Sequence, residues 1–259
     1  IRSPLFITLA VAGGSLLLVF ALVVLFSGSA IAPYLRNLAA QKQFITNASH
    51  ELKTLLTAIS TSADVLAMES GENEWVQNIQ SQSGRLSRLI SSLVTLCRLD
   101  EENPFLERTE FSLSDAVWEI AEPFSSLAAA KGKRYSQEIE DGVLLTGDRQ
   151  AVQQMVSILL DNAVKYGAEG GHITLTLEKT DRQARITVSN PGEPIPPEHL
   201  AHLFERFYRA DASRGEKSGF GLGLAIADTI AREHKGVLKA ESDAASTRFI
   251  FTMPLKKQA

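Results

Sequence analysis

His50 stands in the run Phe44-Ile45-Thr46-Asn47-Ala48-Ser49-His50-Glu51-Leu52-Lys53-Thr54. A neutral imidazole nitrogen can attack phosphorus when a neighbouring carboxylate takes its ring proton, so His50 reads as a nucleophile and Glu51 as its base. The run has a helical pattern, and Thr54 falls four residues on, about 40° round the helix and on the histidine's face. Its hydroxyl can instead hold a water in line with a phosphorylated partner. An isolated His-Glu pair, taken alone, favours an exposed polar residue of no chemical role.

Three further groups complement it. Asp161-Asn162-Ala163-Val164-Lys165-Tyr166-Gly167 closes a helical pattern. An Asn carbonyl is a hard oxygen ligand suited to Mg²⁺, and Lys165 can meet a phosphate as a point charge. Ser189-Asn190-Pro191-Gly192-Glu193-Pro194-Ile195-Pro196 leaves a strand. A polar side chain at Asn190 with Gly192 behind it can read an adenine edge, although the same residues also make a Pro-rich turn. Gly219-Phe220-Gly221-Leu222-Gly223-Leu224 opens a helix, where glycines let backbone N–H groups approach phosphate and the helix N-terminus favours negative charge. No strand leads into this loop, so it is not a dinucleotide-binding turn, and no P-loop Gly-Lys-Ser/Thr is present.

The elements that must position these groups fall into three segments, 1–33, 34–103 and 104–259. Leu5 to Phe26 is 22 residues without a charge, enough for a helix to cross a hydrocarbon core of ~30 Å. A helix is expected from about Tyr34 to Met68. Ile45, Leu52, Ile59 and Leu66 recur every seven positions, a seam that faces a partner helix. His50 lies about 140° from that seam, on the solvent side. Ser70-Gly71-Glu72-Asn73 signals a turn. A second helix is expected over Glu74 to Leu99, with Ile79, Leu86 and Leu93 and also Leu89 and Leu96 at sevenfold steps. Such a hairpin has too little core alone, so two copies should pair into a four-helix bundle. Beyond Phe111 the pattern predicts a helix capped by Ser114 and running to Lys131, then a strand near Tyr135–Ile139. A helix capped by Asp148 follows, then strands His172–Glu178 and Ala184–Ser189. A short helix Glu198–Phe207, a helix Leu222–His234, and strands Val237–Glu241 and Arg248–Met253 complete a mixed α/β layer sandwich.

Composition narrows the function classes. Hydrophobic residues make up 44% and charged residues 22%, as expected of a globular protein with one membrane segment. The net charge of -4 gives no basic footprint for nucleic acid. The single cysteine, Cys97, cannot form an internal disulfide. His199 and His202 lack a carboxylate or Cys to complete a metal site and read as residues of an exposed short helix.

Taken together, the order and spacing of the four groups resemble the sensor histidine kinases of bacterial two-component systems, over roughly Gln41 to Pro254. His50-Glu51-Leu52-Lys53-Thr54 is similar to the family's H-box, with His50 at the phosphorylated position. Asp161 to Tyr166 resembles the N-box, with Asn162 at the Mg²⁺ ligand and Lys165 and Tyr166 beside it. Asn190-Pro191-Gly192 stands at the first glycine box, and Phe204-Glu205-Arg206-Phe207-Tyr208-Arg209 resembles the F-box beside an ATP lid. Gly219, Gly221, Gly223 and Leu224 match the second glycine box, and Thr247 falls on a nucleotide-contacting threonine. The resemblance implies a Bergerat-type ATP-binding domain after a dimerising phosphoacceptor hairpin, with ATP and Mg²⁺ as cofactors. It also implies a homodimer, a cytoplasmic response regulator as phosphate acceptor, and an inner-membrane anchor through residues 5–26 with the catalytic part in the cytoplasm.

Three residues depart from the family pattern. Leu55 stands where a proline is usual, and without that break the helix should be straighter, shifting the balance between kinase and phosphatase activities. Asn190 replaces a commoner Asp and accepts a hydrogen bond less strongly. Ile158 replaces a frequent polar residue one turn before Asn162. The other readings are a phosphatase-biased or non-catalytic signalling scaffold, and an ATPase of the same superfamily that makes no phosphohistidine.

Overall fold

The computed structural model describes residues 11–21, 52–68, 73–99, 108–180, 182–210 and 220–255. His50, Glu51, Ile45 and Gly219 lie outside them, as do residues 5–10 and 22–26 of the candidate membrane segment. Residues 11–21 are helical. Among the described residues no helix is long and apolar enough to cross a membrane.

Two compact units are present, residues 1–83 and 84–259. In the first, α1 (52–68) and the start of α2 (Glu74–Leu99) lie on either side of a short connection. The Asn73 side chain caps α2 by accepting from Val76 N at 2.9 Å, and Glu74 places a carboxylate at the positive end of the helix. Gln80 Nε2 donates to Asp64 Oδ1 at 2.6 Å, tying the two helices together. Within the single chain a different row from the predicted partner-facing seam is buried. Leu56 and Ala63 are buried, as are Val76 and Ser83, each pair at a sevenfold step, whereas Leu52, Ile59 and Leu66 remain 45%, 48% and 47% exposed. Both rows have the heptad period. The predicted row is left at the surface of the single chain, where a partner helix can cover it. Leu55 is also exposed, within an unbroken helix.

The second unit takes in the rest of α2. Leu96 is buried with the core of the α/β layers, and Leu89 and Leu93 pack against it. The sequence had assigned these leucines to the hairpin seam. A five-stranded sheet has the order β2-β4-β5-β7-β6. Its strands are β2 (Arg134–Ile139), β4 (His172–Lys179), β5 (Gln183–Asn190), β6 (Val237–Ser242) and β7 (Thr247–Pro254). β2 runs parallel to β4, and the other pairings are antiparallel. Alternation sends Ile173, Leu175 and Leu177, Ala184, Ile186 and Val188, and Phe249, Phe251 and Met253 to one buried face. Helices α3 (Leu113–Ala121), α4 (Pro123–Ala130), α5 (Arg149–Tyr166) and α7 (Gly223–Glu233) accompany it. The stripe Val152, Met155, Val156, Leu159, Leu160 and Ala163 of α5 is buried at the helical period. A two-stranded sheet, β1 (Thr109–Ser112) with β3 (Leu144–Gly147), stands apart.

Four local expectations change. Ser112, not Ser114, caps α3, accepting from Asp115 N. Ser114 is buried instead, donating to Glu140 O at 2.6 Å and accepting from Val143 N at 3.0 Å. Pro123 divides the single expected helix, since it lacks an N–H and therefore starts α4. β1 and β3 were too short to register as strands. The helix expected over Glu198–Phe207 is only α6 (Pro197–Leu200), followed by turns.

His234 locks two helices together behind this sheet. Its Nδ1 lies 2.8 Å from Ile230 O, one turn back in α7. Its Nε2 accepts from Asp148 N, at the cap of α5, at 3.0 Å. The ring leaves no room for a side chain at Gly147, whose Cβ would stand 2.4 Å from His234 Cδ2. Burial pushes the imidazole's pKa below its ordinary 6.5, assisted by Arg108, while the Ile230 carbonyl, Asp148 and Glu233 act the other way. The unfolded chain therefore takes up the proton first as pH falls. Stability is complete above pH 6.5 and is lost progressively below it. The melting temperature should fall between pH 7.5 and 5.5, and His234→Gln should flatten that fall. An equal pH dependence in the variant would assign it to other groups.

Candidate functional site

The C-terminal end of α5, the ends of β5 and β7 and the start of α7 converge on one cavity of about 1310 Å³. Helix α5 carries Ile158, Asp161, Asn162 and Lys165 at helical spacing into its wall, opposite the buried stripe. The Asn162 amide is oriented by its own helix: Nδ2 donates to Ile158 O at 2.9 Å. That leaves the Oδ1 carbonyl as the acceptor on the cavity side. Lys165 Nζ lies 5.1 Å from the Tyr166 ring centroid.

The last turn of α5 is finished from outside. Lys133 Nζ donates to Gly167 O at 2.6 Å and to Val164 O. An ammonium on these carbonyls sits at the negative end of the helix, where a cation is favoured. Burial, with help from Lys131, pushes its pKa down. Lys133 was not singled out in the sequence, because it precedes a strand remote from the N-box motif.

β5 ends in Asn190, which is buried. Its Nδ2 donates to Pro191 O at 3.3 Å, and the same carbonyl accepts from Ala168 N at 2.7 Å. Gly192 lies against the Tyr166 carbonyl, which a Cβ would approach to 3.1 Å. Thr247, also buried, opposes Asn190 directly across the β5–β7 ladder. The turn before it is ordered by Asp243, whose Oδ1 accepts from Ala245 N at 2.8 Å and Ser246 N at 3.0 Å. These bonds hold its carboxyl below the usual range.

The fourth wall is the entry to α7. Leu222 at its N-cap provides no side-chain hydrogen bond, so the first N–H groups of the helix face the cavity end without that cap. Phe207 N donates to Gly221 O at 2.9 Å, and both residues have positive φ, 64° and 71°. Next to them the Nε and Nη2 atoms of Arg209 are buried with no hydrogen-bond partner among the described residues. Buried guanidinium donors require an acceptor, and an anion in the cavity fits that requirement.

Every candidate nucleotide residue within the described part of the chain thus lines this one cavity: Asn162, Lys165, Tyr166, Asn190, Gly192, Arg209, Gly221, Gly223, Leu224 and Thr247. Thr54 is on α1, in the other unit. The cavity also includes residues that the sequence did not mark as contacting a nucleotide. His199 Nδ1 lies 2.6 Å from the Tyr208 hydroxyl, and both rings face the cavity. Their spacing of nine residues matches no helix or strand period. Phe249 lines the floor, and its strand alternation gave only a core residue. Ile158 packs against the entry of α7, 3.3 Å from where a Cβ on Gly223 would stand.

Comparison with known proteins places these features. Residues 40–102 match the His Kinase A (phospho-acceptor) domain. Residues 147–257 match the family described as histidine kinase-, DNA gyrase B-, and HSP90-like ATPase. The chain is 33% identical over 225 residues to the sensor protein DltS of Streptococcus agalactiae, covering 87% of this chain and 57% of that protein. It is 36% identical over 236 residues to the sensor histidine kinase RppB of Synechocystis sp., covering 88% and 52%. The chain spans about half the length of these curated relatives. Among solved structures it is similar to full-length ShkA in complex with AMPPNP, with a TM-score of 0.72 and 23% identity over 84% of this chain and 46% of that one. The last likeness is one of fold.

Proposed function

Since the chain belongs to the sensor histidine kinases of bacterial two-component systems and joins a phosphoacceptor domain to an ATP-binding domain, we propose that it phosphorylates itself on His50. The cavity receives ATP, His50 attacks the γ-phosphorus with Glu51 as its base, and ADP leaves. Asn190 and Thr247 meet the adenine, while Lys165, Arg209 and the glycines that open α7 meet the phosphates. Tyr166, Gly192 and Leu224 shape the wall between them. A Mg²⁺ ion would be held by Asn162 together with the phosphates, and when bound it offsets charge on the transferring group. The phosphoryl group then passes to an aspartate of a separate response regulator. In the reverse mode Thr54 orients the water that dephosphorylates that regulator. The working unit is a homodimer paired through the hairpin and anchored in the inner membrane by residues 5–26. We divide it into residues 1–33, 34–103 and 104–259.

The observation that carries this reading is the convergence of Asn162, Asn190, Arg209 and the entry to α7, from sequence-separated motifs, on one cavity, with two guanidinium nitrogens that have no partner among the described residues. Phosphoryl transfer needs positioning and charge stabilisation above all, and this arrangement supplies both. Incubation of the whole chain with γ-labelled ATP should label the protein, and His50→Gln should abolish the label. Label persisting in that variant would remove His50 from the role. ATP turnover without any labelled protein would support the ATPase reading instead.

A further inference from the structure

Ser242 ends β6 one strand away from the cavity and is not part of its lining. It nevertheless touches two things that are. Its Oγ accepts the backbone N–H of Ile195 at 2.9 Å, from the loop that leaves Asn190. The same oxygen lies 2.7 Å from Thr247 Oγ1. Asn190, Thr247 and Ser242 are direct register partners across β5, β7 and β6, forming one polar row at the end of an otherwise apolar sheet.

We infer that Ser242 is a specificity-determining positioning residue, which fixes the Thr247 hydroxyl so that the cavity takes a 6-aminopurine nucleotide in preference to a 6-oxopurine one. This rests on the reading of the cavity as a nucleotide site. A threonine hydroxyl left to itself rotates and can serve as donor or acceptor, so it suits an amino group and a carbonyl oxygen equally. Either oxygen can donate in the Ser242–Thr247 bond; with Thr247 as the donor, its proton is spent on Ser242 and only its lone pairs face the ligand, where they accept from an amino group. The neighbouring Asn190 amide is pinned as well. Pro191 O can only accept, so the amide nitrogen faces it and Oδ1 is left to accept from the ligand. An acceptor at this place receives an amino group and repels a carbonyl oxygen. Discrimination by an oriented polar site exceeds what its binding strength alone supplies, because the wrong partner leaves buried groups unpaired. Thr247 and Asn190 are both buried, so water cannot repair the mismatch.

The test compares ADP with inosine diphosphate, which carries an oxygen in place of the 6-amino group. Both dissociation constants are measured by calorimetry on the whole chain. The parent should prefer ADP. Ser242→Ala should lower that preference by roughly tenfold, the effect of losing one oriented hydrogen bond. Ser242→Thr, which keeps the hydroxyl, should restore it. Ser242→Cys keeps the side-chain volume with a poor hydrogen-bonding atom and should behave as Ala does, which covers the case of an unstable Ala variant. Equal weakening of both ligands with an unmoved ratio would overturn the inference and reduce Ser242 to a structural role. A parent that binds neither ligand would overturn the nucleotide reading and this inference with it.

Discussion

Gly221→Ala is expected to weaken ATP binding roughly a hundredfold while leaving the apolar core folded. Gly221 has φ of 71°, a left-handed conformation that costs a residue with a Cβ roughly 1–2 kcal/mol. The added Cβ would also stand 2.6 Å from Tyr208 O and 2.7 Å from Phe207 C. Both are backbone atoms and cannot rotate away. Relief requires separating the chain around Phe207 from the entry to α7, which breaks the Phe207 N–H bond to Gly221 O. That movement carries Arg209 and the first N–H groups of α7 away from each other. Strain and the lost bond together amount to about 3 kcal/mol, or roughly a hundredfold in affinity. The measurement is the ATP dissociation constant with a thermal melt as control. Parent-like affinity would show that the phosphates do not depend on this junction.

Phe251→Ala should instead act on the fold. Phe251 is fully buried at the centre of β7, between Ile186 of β5 and Leu238 of β6 in register. Truncating a buried Phe removes about 3–5 kcal/mol of stability, because the cavity left behind collapses only in part. The melting temperature should fall on the order of 10 °C. The ring also meets the backbone at Gly236, where a Cβ would stand 2.5 Å from Phe251 Cε2. The loosening should therefore reach the α7–β6 turn, detectable as faster amide exchange at residues 234–238. A drop of only a degree or two would mean that neighbouring side chains fill the space.

These two residues illustrate what a sequence reveals and what it withholds. Alternation placed Phe251 in a strand, and the glycine pattern placed Gly221 in a loop before a helix, because both signals are local. The cap at Asp148 was likewise written in adjacent residues. Pairs closed by tertiary contact were not legible. His234 against Gly147, Lys133 on the end of α5, and Ser242 against Ile195 each join residues far apart in the chain. Heptad spacing in the hairpin was legible, but two rows share that period. The row with Leu56 and Ala63 is buried within the chain, and the row with Leu52, Ile59 and Leu66 lies at its surface. The leucines at 89, 93 and 96 carry the period of a hairpin yet pack with the α/β layers, a choice that periodicity alone cannot make.

The strand order has one more effect, on how two copies can coexist. Among the described residues the five-stranded sheet ends in β2 on one side and β6 on the other, each with one flank left unpaired by another strand. An open flank is a template for a strand from a second molecule. Here the flanks carry Arg134 and Glu138 on β2 and Lys239 and Glu241 on β6. A parallel, in-register stack of either flank on its own copy brings like charges together, Arg134 on Arg134 and Glu138 on Glu138 or Lys239 on Lys239 and Glu241 on Glu241. In a protein whose proposed working form holds two chains side by side at high local concentration, these charges disfavour parallel, in-register stacking of the sheets of neighbouring catalytic domains.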